Sequence, residues 1–250
     1  MKIKIDALCH KGLVRENNED ALSIGGFVLR DDTASLTADT PERGSFYLLV
    51  SDGMGGHEDG EVASMFTFDV INEKFGQHLI GEYSFEDDMR AMVRDISARL
   101  NRMAAEKGQQ RPMGCTLTGV VWHYGHAWLI NAGDSRTYRL RNGMLRQLTI
   151  DETERGVTGN PNASKLLLNC LGGGCEGRLA VTSLDGKLLE DDILLICSDG
   201  LCDMATDNQI ESAIAEGATA TDLYHIACEG GGVDNVSIIL ATICSNPEVG

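Results

Sequence analysis

Four aspartates occupy one kind of place in this chain. The apolar runs FYLLVSDGMGG, WLINAGDSR and ILLICSDGL lead into Asp52, Asp134 and Asp199, each next to a glycine, and in GGVDNVSIIL Asp234 stands just before such a run. A carboxylate against a core strand is costly unless it is paired or bound to a metal. Taken singly, each Asp-Gly is an ordinary turn signal; taken together, four acids at strand ends point further. Clustered carboxylates repel one another and raise one another's pKa unless hard cations neutralise them. Oxygen donors without histidine or cysteine favour Mg²⁺, Mn²⁺ or Ca²⁺ over zinc. A glycine beside the acid also lets a backbone carbonyl approach an ion.

The elements that must position these acids follow from periodicity. Strands are expected over 2–9, 46–51, 115–122, 127–132, 135–141, 193–198 and 236–244, with Asn142-Gly143 turning a hairpin from TYRLR to MLRQLT. Helical spacing of apolar residues marks 60–75, 84–107, 207–216 and 220–229. The Gly-rich stretch 151–177 reads as a loop with a short helix around 163–170. Strands that pair by hairpins, with helix pairs between blocks of strands, describe an α+β domain with antiparallel sheets. No repeat, low-complexity tract or Pro-rich linker divides the chain, so 1–250 is expected to be a single domain.

Composition narrows the function. The 250 residues are 42% hydrophobic and 24% charged, and 21 basic against 38 acidic side chains give a net charge of −17. Such a surface repels nucleic acid and anionic membranes. The N-terminal MKIKIDALCHKG has no signal-peptide core, and the longest apolar runs are too short to span a bilayer; the expectation is a cytoplasmic protein. The eight cysteines are scattered without a C-x-x-C pair and are expected to be reduced, most of them buried. A zinc site from Cys170, Cys175 and a histidine is the competing arrangement, but it lacks the spacing zinc prefers.

Seven short motifs then join the four acids. Arg15-Glu16-Asn17-Asn18-Glu19-Asp20, Asp52-Gly53-Met54-Gly55-Gly56-His57, Gly60-Glu61-Val62-Ala63-Ser64, Gly114-Cys115-Thr116, Gly133-Asp134-Ser135-Arg136, Ser198-Asp199-Gly200-Leu201 and Asp234-Asn235-Val236-Ser237 follow one another from residue 15 to 237. In kind and order they resemble the PPM family, the metal-dependent, protein phosphatase 2C-like serine/threonine phosphatases, of the bacterial type. The resemblance implies a four-layer αββα sandwich, two antiparallel sheets flanked by helix pairs. It implies that Asp52 bridges two Mg²⁺ or Mn²⁺ ions, that the Gly53 carbonyl binds one of them, and that Asp199 and Asp234 complete the second. Asp134 with Asp199 would hold a third, weaker ion, and Glu19 and Asp20 would act through water or as outer supports. Arg15 would grip the phosphoryl group with its guanidinium fork. The implied reaction is hydrolysis of phosphoserine and phosphothreonine in proteins by a hydroxide bridging the two ions, reversing a Ser/Thr kinase in bacterial signalling. The implied partner is a phosphoprotein, either a cognate kinase or its targets, and the enzyme is expected to be a monomer. Cysteine is not expected to be the nucleophile.

Two departures stand out. Met54 takes the place of a histidine that serves eukaryotic relatives as a proton donor, which leaves His57 or a metal-bound water for that role. Asp151 is followed by Glu152, where many bacterial members have histidine, and the flap ERGVTGNPNASK is short. The competing functions are a catalytically silent binding module of the same fold, a phosphatase for small metabolites, and a structural calcium binder, the last of which has no use for Arg15.

Overall fold

The computed structural model describes residues 1–55 and 58–244, apart from the side chain of Glu58. In chain order the first strands are β1 (Lys2–His10), β2 (Ala21–Ile24), β3 (Phe27–Leu29), β4 (Asp32–Asp39), β5 (Ser45–Ser51) and β6 (Gly53–Met54). Two long helices follow, α1 (Glu58–Gly76) and α2 (Phe85–Glu106), then β7 (Gly114–Cys115), β8 (Leu117–His123), β9 (His126–Ala132), β10 (Arg136–Arg141) and β11 (Met144–Gln147). The last third holds α3 (Glu154–Thr158), β12 (Leu171–Gly172), β13 (Ala180–Ser183), β14 (Ile193–Cys197), α4 (Asp199–Cys202), α5 (Asp207–Ala215), α6 (Ala220–Glu229) and β15 (Val236–Cys244).

The strands form two six-stranded antiparallel sheets, ordered β11-β10-β14-β15-β1-β4 and β13-β9-β8-β5-β2-β3, with a small third sheet β12-β7-β6. Alternation along the central strands explains the layering. Leu48 and Val50 of β5, and Val120 and Trp122 of β8, face Ile3, Ile5, Leu194 and Ile239 in a core between the sheets. Tyr47 and Leu49 of β5 and Leu117 and Val121 of β8 point the other way, onto Phe68, Ile71, Met89, Val93 and Ile96 of α1 and α2. On the opposite outer face, Ile238 and Leu240 of β15 pack on Leu201, Ile210, Ile214 and Leu223 of α4, α5 and α6. Central strands covered on both faces read as continuous apolar runs, which is why FYLLV, ILLIC and VSIILATIC are so plain in the sequence. The layers are helix, sheet, sheet, helix, the α+β sandwich implied by the resemblance.

Two differences from the expected elements have physical reasons. The short helix of the flap lies at Glu154–Thr158 and not around 163–170. Thr153 caps it by accepting a hydrogen bond from Gly156 N (3.0 Å), and Gly159 ends it in the left-handed conformation, φ 66°. The second half of the flap instead returns as extended chain, bridging Leu167 to Thr153. Strands β2, β3 and β4 were not expected. β2 is only four residues long, and β4 is an edge strand with no buried residue, so neither carries the apolar periodicity that marks a strand.

All eight cysteines are free, four buried and four half-buried. Among the described residues no helix is long and apolar enough to cross a membrane.

Candidate active site

The topology brings the acids to one edge of the sandwich. β5 and β9 flank β8 and both pair antiparallel with it, so their C-terminal ends, which lead into Asp52 and Asp134, lie at the same edge of the sheet. β14 pairs antiparallel with β15, so the exit of one strand (Asp199) meets the entrance of the other (Asp234). β1 also runs antiparallel to β15, which delivers the loop from Arg15 to Asp20 to the same edge. Arg15, Glu19, Asp52, Gly53, Met54, Asp134, Asp199 and Asp234 all line a single cleft of about 490 Å³. Of the expected site residues only Asp20 is not on its wall; it lies beneath, fully buried.

A hydrogen-bonded frame fixes these positions. Thr116 Oγ1 accepts from Asp52 N (2.9 Å) and lies 2.7 Å from Ser135 Oγ, so one hydroxyl ties the Asp52 strand end to the residue after Asp134. Asn235 does the same on the other side. Its Oδ1 accepts from Glu19 N (2.8 Å), and its Nδ2 donates to the carbonyls of Lys11 and Asn17 (both 2.9 Å). Ser198 Oγ donates to Asp20 Oδ2 (2.7 Å) and accepts from Ser237 N (3.0 Å). Two glycines permit the crowding. Gly12, at φ 78°, passes so close to the Asp234 carbonyl that no side chain fits, and a side chain at Gly53 would strike the carbonyls of Gly60 and Glu19.

The electrostatics are those of uncompensated charge. Burial first, and then Asp20, Asp199, Asp134 and Asp234, push the Asp52 carboxyl well above the usual range. Burial and Asp199 raise Asp134 to about 7. Burial, Asp234 and Asp203 raise Asp199 to about 6. Asp20 rises to about 7, mainly through burial, despite hydrogen bonds from Ser198 and Ser237. One cation, Arg15, is bonded directly to an expected ligand: its Nη2 donates to Asp234 Oδ2 at 2.7 Å. Arg15 is therefore in the cleft as expected, but it is engaged by a carboxylate.

The donor set suits hard divalent ions. It is all oxygen and strongly negative, and it leaves Asp20 Oδ1 buried without a hydrogen-bond partner. Among the described residues, no three acidic, histidine or cysteine side chains converge on a single point as they stand. Asp234 is turned to Arg15, and Asp20 to Ser198. The fit is one of charge and donor chemistry.

Five histidines are described, and none lines the cleft. His10 packs against Tyr224 with ring centres 4.6 Å apart and the rings tilted by 47°, and His123 is buried between Ser45 and the Gly81 carbonyl. His126 bonds Asp185, while His78 and His225 are exposed. His57 lies outside the described residues. Setting cysteine chemistry aside on sequence grounds passed over one spacing, because Cys9 and Arg15 stand at the Cys-x5-Arg interval of thiol-dependent phosphatases. The structure removes that option. Cys9 is 1% exposed, and burial followed by Asp20 pushes its thiol up to about 12, far from a usable thiolate.

Sequence reasoning assigned no role to Thr116 or Asn235, although both fall within quoted motifs. It did not find Arg111, Lys165, Leu166 or Leu167, which line the cleft from the α2–β7 loop and the flap. Nothing in local periodicity marks these four.

Comparison with known proteins gives the family and the fold. The family model for protein phosphatase 2C matches residues 25–224. A serine/threonine phosphatase, stp, of Listeria monocytogenes is 27% identical over 247 residues, covering 92% of each chain. The serine/threonine protein phosphatase PstP of Mycobacterium tuberculosis is 30% identical over 261 residues, which cover 96% of this chain and 45% of PstP. The catalytic domain of a PstP, solved in complex with two manganese ions, superposes with a TM-score of 0.71 at 28% identity, covering 97% of this chain and all of that domain.

Proposed function

The chain belongs to the protein phosphatase 2C family and is a serine/threonine protein phosphatase, and we propose that it releases phosphate from phosphoserine and phosphothreonine with two Mg²⁺ or Mn²⁺ ions. Asp52 would bridge the pair, with the Gly53 carbonyl on one ion and Asp199 and Asp234 on the other. Asp134 and Asp199 would hold a third, weaker ion. Glu19 and Asp20 would support the cluster from outside. The observation that carries this reading is the convergence of Asp52, Asp134, Asp199 and Asp234 on one cleft in which, among the described residues, Arg15 is the one cation bonded to any of them. The manganese pair in the related PstP domain supports it.

When bound, the ions supply positive charge opposite the phosphoryl oxygens and make a water acidic enough to act at neutral pH. The chain's own residues do the rest. Thr116 fixes the backbone of Asp52, so the carboxylate is held without rearrangement as charge builds. Arg15 has five N–H donors in a rigid fork, so it can keep Asp234 on Nη2 and turn the remaining donors to a phosphoryl group. That contact orients the phosphorus for in-line attack by water and neutralises its oxygens, with no covalent phosphoenzyme. Met54 on the cleft wall carries no proton to give, and none of the five described histidines lines the cleft, so this reading gives protonation of the leaving seryl or threonyl oxygen to water, with His57 as the alternative donor.

The same reading takes 1–250 as a single catalytic domain, acting as a cytoplasmic monomer on phosphoproteins in a kinase-linked signalling route. One experiment addresses its core, namely phosphate release from a phosphothreonine peptide with Mn²⁺ or with EDTA. Turnover that needs Mn²⁺ is the expected result. Saturable metal binding without turnover, on peptides or on an aryl phosphate, would contradict it and leave a binding module of the same fold.

A further inference from the structure

Among the described residues, three basic side chains line the cleft: Arg15, Arg111 and Lys165. Two are already engaged, Arg15 by Asp234 and Lys165 by Asp203. Arg111 is exposed and has no acidic or hydrogen-bonded partner among the described residues. In a chain of net charge −17, an unpaired arginine at the mouth of a carboxylate-lined cleft needs a reason.

Its placement is fixed and not that of a loose loop tip. Gly108, at φ 66°, turns the chain out of α2, and Gln109 Oε1 accepts from Met113 N at 3.1 Å across the bend. Pro112 restricts the backbone of Arg111 to extended conformations. Met113 is fully buried, and the next residues pair with the strand of the site, Gly114 with Met54 and Cys115 with Gly53. The guanidinium is thus carried on a short, anchored stem beside the strand that holds Gly53, a few residues from Thr116 under Asp52.

We propose that Arg111 is a specificity-determining residue that binds a second anion of the substrate: a carboxylate, or a second phosphate, on a residue near the phosphorylated serine or threonine. The proposal rests on the phosphatase reading above. A cleft walled by Asp52, Asp134, Asp199, Asp234 and Glu19 repels anionic peptides beyond the one phosphate that the catalytic machinery accepts. A free guanidinium at its edge reverses that locally and offers a fork that matches carboxylate or phosphate. Because the site is open to water, the effect is modest, on the order of tenfold in KM, and it falls with salt.

The test uses the full chain with Mn²⁺ and a set of phosphothreonine peptides. One is flanked by alanines; others carry an aspartate, a second phosphoserine or a lysine, moved through the three positions on either side. Wild type is expected to prefer the acidic or doubly phosphorylated peptide at one position by about tenfold in kcat/KM, expressed in KM and shrinking with added NaCl. Arg111→Ala should bring that ratio to near one, Arg111→Lys should keep part of it, and Arg111→Glu should shift the preference to the lysine peptide. The aspartate and phosphoserine arms tell which anion is read. A wild-type enzyme without preference at any position, or an unchanged ratio in Arg111→Ala, would overturn the proposal. Failure of wild type to release phosphate from any peptide would instead bring down the phosphatase reading, and this proposal with it.

Discussion

Carboxylates drawn at least partly out of water occur in two regions of this molecule and live in opposite circumstances. Asp192, in the turn before β14, is fully buried, yet Arg141 Nε and Nη2 reach its two oxygens (both 2.6 Å) and Leu189 N adds a third bond at 2.8 Å. Burial pushes its pKa up, but Arg141 and the backbone amide hold it below the usual range. At the other end, burial also pushes up Asp20, Asp52, Asp134 and Asp199, and the acids around them push further the same way. One carboxylate is completed by the fold. The other four are left for something the fold does not supply, and this distinguishes a structural ion pair from a site.

The sharpest way to break that contrast is to remove one acid from each region. Asp52→Asn should lower Mn²⁺-supported phosphate release by roughly a thousandfold or more, since it removes a bridging charge worth several kcal/mol in the transition state. The same change should raise the melting temperature of the EDTA-treated protein, because it relieves repulsion among crowded acids. Asp192→Ala should do the reverse. It leaves Arg141 and Leu189 N without their acceptor and costs about 2 kcal/mol, read as a melting temperature lower by several degrees, with turnover per folded molecule kept. If both variants moved stability in the same direction, the two regions would not differ as described.

A smaller effect comes from pH. Asp134 and Asp20 at about 7 and Asp199 at about 6 lie above the ordinary aspartate value of 3.8. In the metal-free protein their contribution to stability is complete below 3.8 and is lost as pH rises through 6 to 7. Thermal melts in EDTA should therefore give a higher midpoint near pH 5 than near pH 8, and saturating Mn²⁺ should remove the difference by binding the ionised form. Asp192 has the opposite sign: its depressed pKa stabilises above 3.8, and that contribution is lost as pH falls through the lowered value.

The sequence showed the acids but not the partners that complete the cleft. Asp52, Asp134, Asp199 and Asp234 were visible because each stands just beyond the end of an apolar strand, where a charge is anomalous. The central strands were visible because they are covered on both faces. Strand β4 was not, since an edge strand with no buried residue has no pattern to read. The flap helix was misplaced because Thr153 and Gly159, and not apolar spacing, decide where it starts and stops. Arg111 and Lys165 reach the cleft only through tertiary placement. The pairing of Arg15 with Asp234 joins residues 219 positions apart, which no local signal could reveal.

The most direct test of the central claim is a titration of the EDTA-treated, dialysed protein with Mn²⁺ at neutral pH, followed by calorimetry, for wild type and Asp52→Asn. Two saturable ions per chain in wild type, with loss of binding in the variant, is the predicted result. No saturable binding in wild type, with the four carboxylates still folded into the cleft, would contradict it.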